Sequence, residues 1–165
     1  DTTIIRNKDG QPLPTDFSGG LASEYLITKE EMDTRRKSMQ ATCLNCHATS
    51  WVQGHWRRFE NTIQTTNADT LAGTRIMNEI WRYKFAAGLD RGGFGNPFDE
   101  AIEKKWTDIW LLYANTIRFA SAMGGGGDYA VYAGGRYQLS QTLLELGDWL
   151  AVRRQLFPDK LEMGR

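Results

Sequence analysis

Residues 55–87, HWRRFENTIQTTNADTLAGTRIMNEIWRYKFAA, decide the fold class. Apolar side chains recur there at Phe59, Ile63, Leu71, Ile76, Ile80, Trp81 and Phe85. Their spacing, mostly three to five residues, is that of a helix with one buried stripe rather than the alternation of a strand. Gly88 follows and suits a helix end, because glycine enters the left-handed conformation that closes a last turn. Asn67 is the one point where this long helix is open to interruption.

Working outward toward the carboxy terminus, Asn96-Pro97-Phe98-Asp99-Glu100 carries a helix start signal. Asn caps, Pro is tolerated in the first turn, and acids favour the positive end of the helix dipole. A helix from Pro97 to about Met123 follows. The glycines Gly124 to Gly127 then form a turn, and Asp128 caps a further helix to about Leu156 whose first part is weakened by Gly134 and Gly135. Toward the amino terminus, Thr28 and Glu31 have capping-box spacing, which predicts a helix from near Lys29 that delivers the chain into a cysteine pair. Residues 1–24, with Gly10, Pro12, Pro14, Gly19 and Gly20, hold no period and read as an extended arm. Short connections between long amphipathic segments favour antiparallel neighbours. The expected architecture is an all-α bundle of long antiparallel helices in one domain, 1–165, with an extended arm (1–24) and a helical remainder (25–165).

The chain's 165 residues, 41% of them apolar, suffice for one domain with its own core. Twenty basic side chains balance twenty acidic ones, which argues against nucleic acid or an anionic membrane as partner. No apolar run approaches the roughly 20 residues that span a bilayer. Asp1 opens directly into polar sequence, which reads as a chain already relieved of its signal peptide.

Cys43 and Cys46, two residues apart, admit three readings: a redox dithiol, half a zinc site, or a haem anchor. A structural zinc site needs a second ligand pair, and His55 is the only other histidine besides His47. A thioredoxin-like dithiol calls for alternating strands and helices, which are not seen. Cys43-Leu44-Asn45-Cys46-His47 matches the haem c attachment pattern at all three fixed positions. The two thiols would form thioethers to the porphyrin vinyl groups, and His47 would be an axial iron ligand. One covalent haem c on this chain is therefore expected, together with an oxidising, periplasmic or equivalent extracytoplasmic compartment. For a sixth ligand the candidates are His55 and the methionines Met32, Met39, Met77, Met123 and Met163. His55 lies only eight residues past His47, so looping back across the same porphyrin is awkward. It is a candidate ligand of a different, neighbouring haem. Trp51, Trp56, Trp81, Trp106, Trp110 and Trp149 could wall porphyrins or simply pack the helices.

Four stretches carry a resemblance: LITKEE at 26–31, CLNCHATSWVQGHW at 43–56, NPFDEAIEKKW at 96–106 and YANTIRFASAMGGGGDYAVYAGGRY at 113–137. In this order they resemble the carboxy-terminal region, around and after the last haem, of the octahaem hydroxylamine oxidoreductases and their hydrazine-oxidising relatives. The resemblance implies further haems, the catalytic one among them, on partner multihaem subunits or on the rest of a parent enzyme. It also implies a trimer-based oligomer, a redox partner protein, and a tyrosine that crosslinks to a neighbouring protomer's catalytic haem and favours oxidation of substrate. By motif position that tyrosine is Tyr129, with Tyr132 as second choice. Asp128 beside it either caps a helix or assists proton removal. Two other readings stand beside this one: a stand-alone monohaem electron-transfer cytochrome, and a non-catalytic subunit that uses haem as a folding staple.

Overall fold

A computed structural model describes residues 27–88, 98–124 and 129–163, and its regular elements are all helices. The chain is all-α. Its contacts divide it into two compact units, Asp1–Arg57 and Arg58–Arg165. The expected arm, 1–24, lies outside the described residues.

In the first unit, helix α1 spans Lys29–Leu44. It starts where the capping signal places it, with the Glu31 N–H donating to the Thr28 hydroxyl at 3.2 Å. Only this half of the capping box is seen, because the Glu31 carboxylate pairs forward with Arg35 at 2.6 Å. No residue of α1 is buried.

Helix α2 spans Thr49–Arg82, and the boundary between the units falls inside it. It begins six residues before the apolar period does and runs through Asn67 without a break. Two kinds of contact explain the continuity. The hydroxyls of Thr66, Thr70 and Thr74 each donate to the carbonyl four residues back, at 2.7, 2.7 and 3.0 Å, so a threonine-rich stretch keeps its side chains satisfied inside the helix. Asn67 Oδ1 accepts from Arg118 at 2.7 Å, which occupies the amide that could otherwise compete with the backbone.

The helix ends earlier than Gly88. Lys84 takes φ 52°, its N–H donates to the Trp81 carbonyl at 2.9 Å, and the Phe85 N–H donates to Ile80 at 2.9 Å. This is the paired closure of a Schellman motif, with lysine in the place that glycine usually fills. Gly88, with φ 54°, turns the chain over the Trp81 ring, where a Cβ would lie 3.0 Å from Trp81 Cδ1.

Helix α3 spans Ala101–Thr107 and starts later than the expected Pro97. Glu100 and Glu103 form a reciprocal capping box, with the Glu100 N–H donating to Glu103 Oε2 at 3.1 Å. The same two carboxylates hold the turn after α2. Glu103 Oε1 accepts from Trp81 Nε1 at 2.8 Å and from the Gly88 N–H at 3.1 Å, and Glu100 Oε2 accepts from the Ala87 N–H at 2.6 Å. Glu103 is fully buried, so its charge is balanced by oriented donors rather than by water. Glu103→Ala strands those donors, and a stability loss of about 3 kcal/mol is expected in denaturant unfolding. A loss below about 0.5 kcal/mol, the scale of an ordinary surface substitution, would contradict this role.

After α3 the helical run continues through a π-helical segment, π1 (Asp108–Tyr113), into α4 (Ala114–Gly124). The last run comprises α5 (Tyr129–Val131), a second π-helical segment π2 (Tyr132–Arg136) and α6 (Tyr137–Leu156), followed by a short α7 (Pro158–Met163) that the sequence reading did not anticipate. Gly134 and Gly135 do not merely weaken this run. Gly135 is buried in π2, and a Cβ there would sit 2.3 Å from Ile117 Cγ1, so the close approach to α4 requires glycine. The remainder of the glycine turn and Asp128 lie outside the described residues.

The second unit is organised around Met77, Ile80, Ala86, Ile102, Ile109, Ala114, Ile117, Val131, Leu139, Leu146 and Leu150. Polar contacts tie the helices outside this core: Trp106 Nε1 donates to Thr74 at 3.1 Å, Arg136 donates to Thr62 at 2.9 Å, and Lys105–Glu145 and Arg154–Glu79 form ion pairs. No described helix is long and apolar enough to cross a membrane.

Candidate haem site

The end of α1 folds the three motif residues into one turn. Cys43 lies in the last helical turn, Asn45 donates to the Thr42 carbonyl at 3.2 Å, and the N–H groups of Cys46 and His47 both donate to the Cys43 carbonyl, at 3.2 and 3.0 Å. The Val52 N–H then donates to Ala48 at 3.1 Å as α2 begins. Cys43 is half-buried, Cys46 and His47 are exposed, and neither cysteine is in a disulfide.

The motif is open to solvent, and three large apolar side chains near it in sequence are exposed as well. Met39, Leu44 and Trp51 are 56%, 46% and 45% exposed. A 16-residue helix without a buried side chain is marginal in water, since packing rather than propensity supplies most helix stability. The chemistry of the donor set also discriminates. Among the described residues there is no group of three or more His, Cys, Asp and Glu able to hold a bare metal ion. Two free sulfurs and an adjacent imidazole suit an iron that brings four equatorial nitrogens of its own, on a macrocycle large enough to cover this surface. The residues fit a c-type haem.

His55 stands on α2, half-buried. The His47 and Trp51 rings stack with centroids 3.9 Å apart and planes 15° from parallel, and Trp51 stacks in turn on His55 at 5.3 Å and 11°. Trp56 meets His55 edge-on at 6.5 Å. The structure thus brings His47 and His55 into one aromatic column through Trp51. The signal for it is a repeat of four residues, but it becomes legible only once the helix is known to begin at Thr49 rather than His55.

The other candidates fall elsewhere. Met32 is half-buried and Met39 exposed in the first unit. Met77 is fully buried in the core of the second unit, where its thioether is committed to packing. Asp128 and the side chains of Met123 and Met163 lie outside the described residues.

Tyr129 opens α5 in the second unit and is 82% exposed, and Tyr132 is also exposed. Neither phenol is taken up by the core. Beside Tyr132 lies a cavity of about 310 Å³ lined by Thr65, Thr66, Asp69, Arg136 and Ser140. Burial pushes the Asp69 carboxyl above its ordinary range, against the opposing pull of Arg136. The π-helical turn that contributes Tyr132 and Arg136 to this cavity has no sequence signature beyond its two glycines.

No family model matches the chain, and no curated protein matches it. Among solved structures, one described as a "Hypothetical multiheme protein" superposes with a TM-score of 0.69 at 31% sequence identity. The match covers 92% of this chain and 26% of that one, so this chain spans about a quarter of its length. The all-helical fold described above is shared with part of a multihaem protein.

Proposed function

We propose that this chain is an electron-relaying component of a multihaem oxidoreductase of the hydroxylamine or hydrazine oxidoreductase type. It holds one haem c through Cys43, Cys46 and His47. The observation that carries this reading is the pair of free thiols and adjacent imidazole gathered at the end of an unburied helix, in a chain that shares its fold with a multihaem protein. Such a haem, when bound, would supply one-electron redox chemistry. The chain's own residues would do the rest: the Cys43 and Cys46 sulfurs would hold the macrocycle, His47 would ligate the iron, and the exposed Met39, Leu44 and Trp51 would offer it apolar surface.

Catalysis belongs to another haem, on partner polypeptides. Tyr129 is the residue this chain contributes there, because its phenol is presented to solvent at the start of a helix rather than packed. His55 serves as axial ligand to a neighbouring haem. The assembly is trimer-based, lies in an extracytoplasmic compartment and hands electrons to a separate redox protein.

Gentle affinity purification of the tagged chain from its native host tests this reading. Co-elution with haem-staining polypeptides in fixed stoichiometry is expected. A monodisperse single-chain species with a complete low-spin haem spectrum would instead establish a self-contained monohaem cytochrome.

A further inference from the structure

We infer that Trp51 is a positioning residue that sets the rotation of two axial imidazoles at once, so that the turn before α2 and the first part of α2 hold ligands to two different haems. The inference rests on the proposed haem ligation by His47 and His55.

The geometry separates what stacking uses from what ligation uses. An imidazole stacks through its face, whereas the nitrogen lone pair that binds iron lies in the ring plane and points out of the ring edge. With His47 at 3.9 Å and 15° from the indole and His55 at 5.3 Å and 11°, each ring spends a face on Trp51 and directs its in-plane nitrogen lone pairs alongside the indole rather than into it. Offset stacking of flat rings is favourable and directional, so it restrains rotation about the side-chain bonds. The spacing makes the arrangement periodic. Residues 47, 51 and 55 are each four apart: Trp51 and His55 share one face of α2, and His47 in the turn just before the helix stacks on that same indole. Trp51 is 45% exposed although it stacks with two rings, which leaves its rim open for macrocycles to cover.

A shared indole has a chemical consequence. The orientation of an axial imidazole about the iron–nitrogen bond governs the splitting of the ferric iron's d orbitals, and hence its g-anisotropy, and contributes to its potential. Nearly parallel planes at His47 and His55 therefore couple the settings of two irons to one side chain. The same stacked rings form an unbroken π contact between the two ligands.

The test is electron paramagnetic resonance and redox titration of the purified ferric assembly carrying W51L, with W51F as the conservative replacement and W51M as a second non-stacking variant should leucine impair maturation. With haem content and helicity at the parental level, the non-stacking variants are expected to shift and broaden two low-spin signals, one for the haem on this chain and one for the haem bound by His55. Their midpoint potentials should move together. Phenylalanine, which still stacks, should restore narrow signals close to the parental ones. Spectra and potentials superimposable on the parent in haem-loaded W51L or W51M overturn the inference, as does a change confined to one haem. A parent assembly whose chain carries no haem overturns the ligation reading itself, a distinguishable result.

Discussion

Replacing both Cys43 and Cys46 with alanine is expected to remove all haem from the chain and to melt α1 while sparing the second unit. The two sulfurs are the chain's only cysteines, so the double variant, produced apart from its partners, should show no Soret absorbance after denaturing electrophoresis. The structural consequence follows from burial. Helix α1 buries none of its residues, and its visible supports are the Thr28 cap and the exposed Glu31–Arg35 and Asp33–Arg36 pairs. The cap contributes about 1 kcal/mol and an i,i+4 pair about 0.3–0.5 kcal/mol, less than a 16-residue helix needs to persist alone. The second unit, by contrast, has its own core from Met77 to Leu150. Circular dichroism should therefore lose the share of helix due to α1 and retain the cooperative thermal transition of the rest. A double variant with parental helicity and an unchanged melting profile would show that α1 does not depend on the haem.

The second large effect is expected for Tyr129→Phe. The substitution deletes one oxygen from a side chain that is 82% exposed, so stability should change by less than about 0.5 kcal/mol. Haem on this chain should be present at the parental level. Turnover of hydroxylamine or hydrazine by the assembly should nonetheless fall to background, because the phenol oxygen is the atom that would join a neighbouring catalytic haem. Tyr132→Phe, made in parallel, should leave turnover near the parental value. Full activity in the Tyr129 variant, or a loss seen only in the Tyr132 variant, would remove Tyr129 from that role.

What the sequence made legible depended on whether the cause was local. Thr28 starts α1 through a bond to an amide three residues away, and the apolar period of α2 is likewise carried within the helix. The start of α3 was misplaced at Pro97 because the true signal is not local. Glu100 and Glu103 cap the helix while also binding Ala87, Trp81 and Gly88, up to 22 residues earlier. The persistence of α2 through Asn67 depends on Arg118, 51 residues on, and no window around Asn67 contains that information. Its closure at Lys84 gave no cue because lysine is rarely the residue placed in the left-handed position. The second π-helical segment contains Gly135, whose close approach to Ile117 is a tertiary contact that no local window reveals. The candidate site divides along the same line. Covalent anchoring demands fixed residue types at fixed spacing, so Cys43, Cys46 and His47 were readable directly. The partnership of Trp51 with both histidines required the helix that holds them.

Intact mass spectrometry of the purified chain under denaturing conditions, read with its Soret absorbance, tests the central claim most directly. For the chain produced apart from its partners, the account predicts a polypeptide heavier than its amino acids by one haem, with the Soret band retained after denaturation. A mass equal to the amino acids alone, without Soret absorbance, would contradict it.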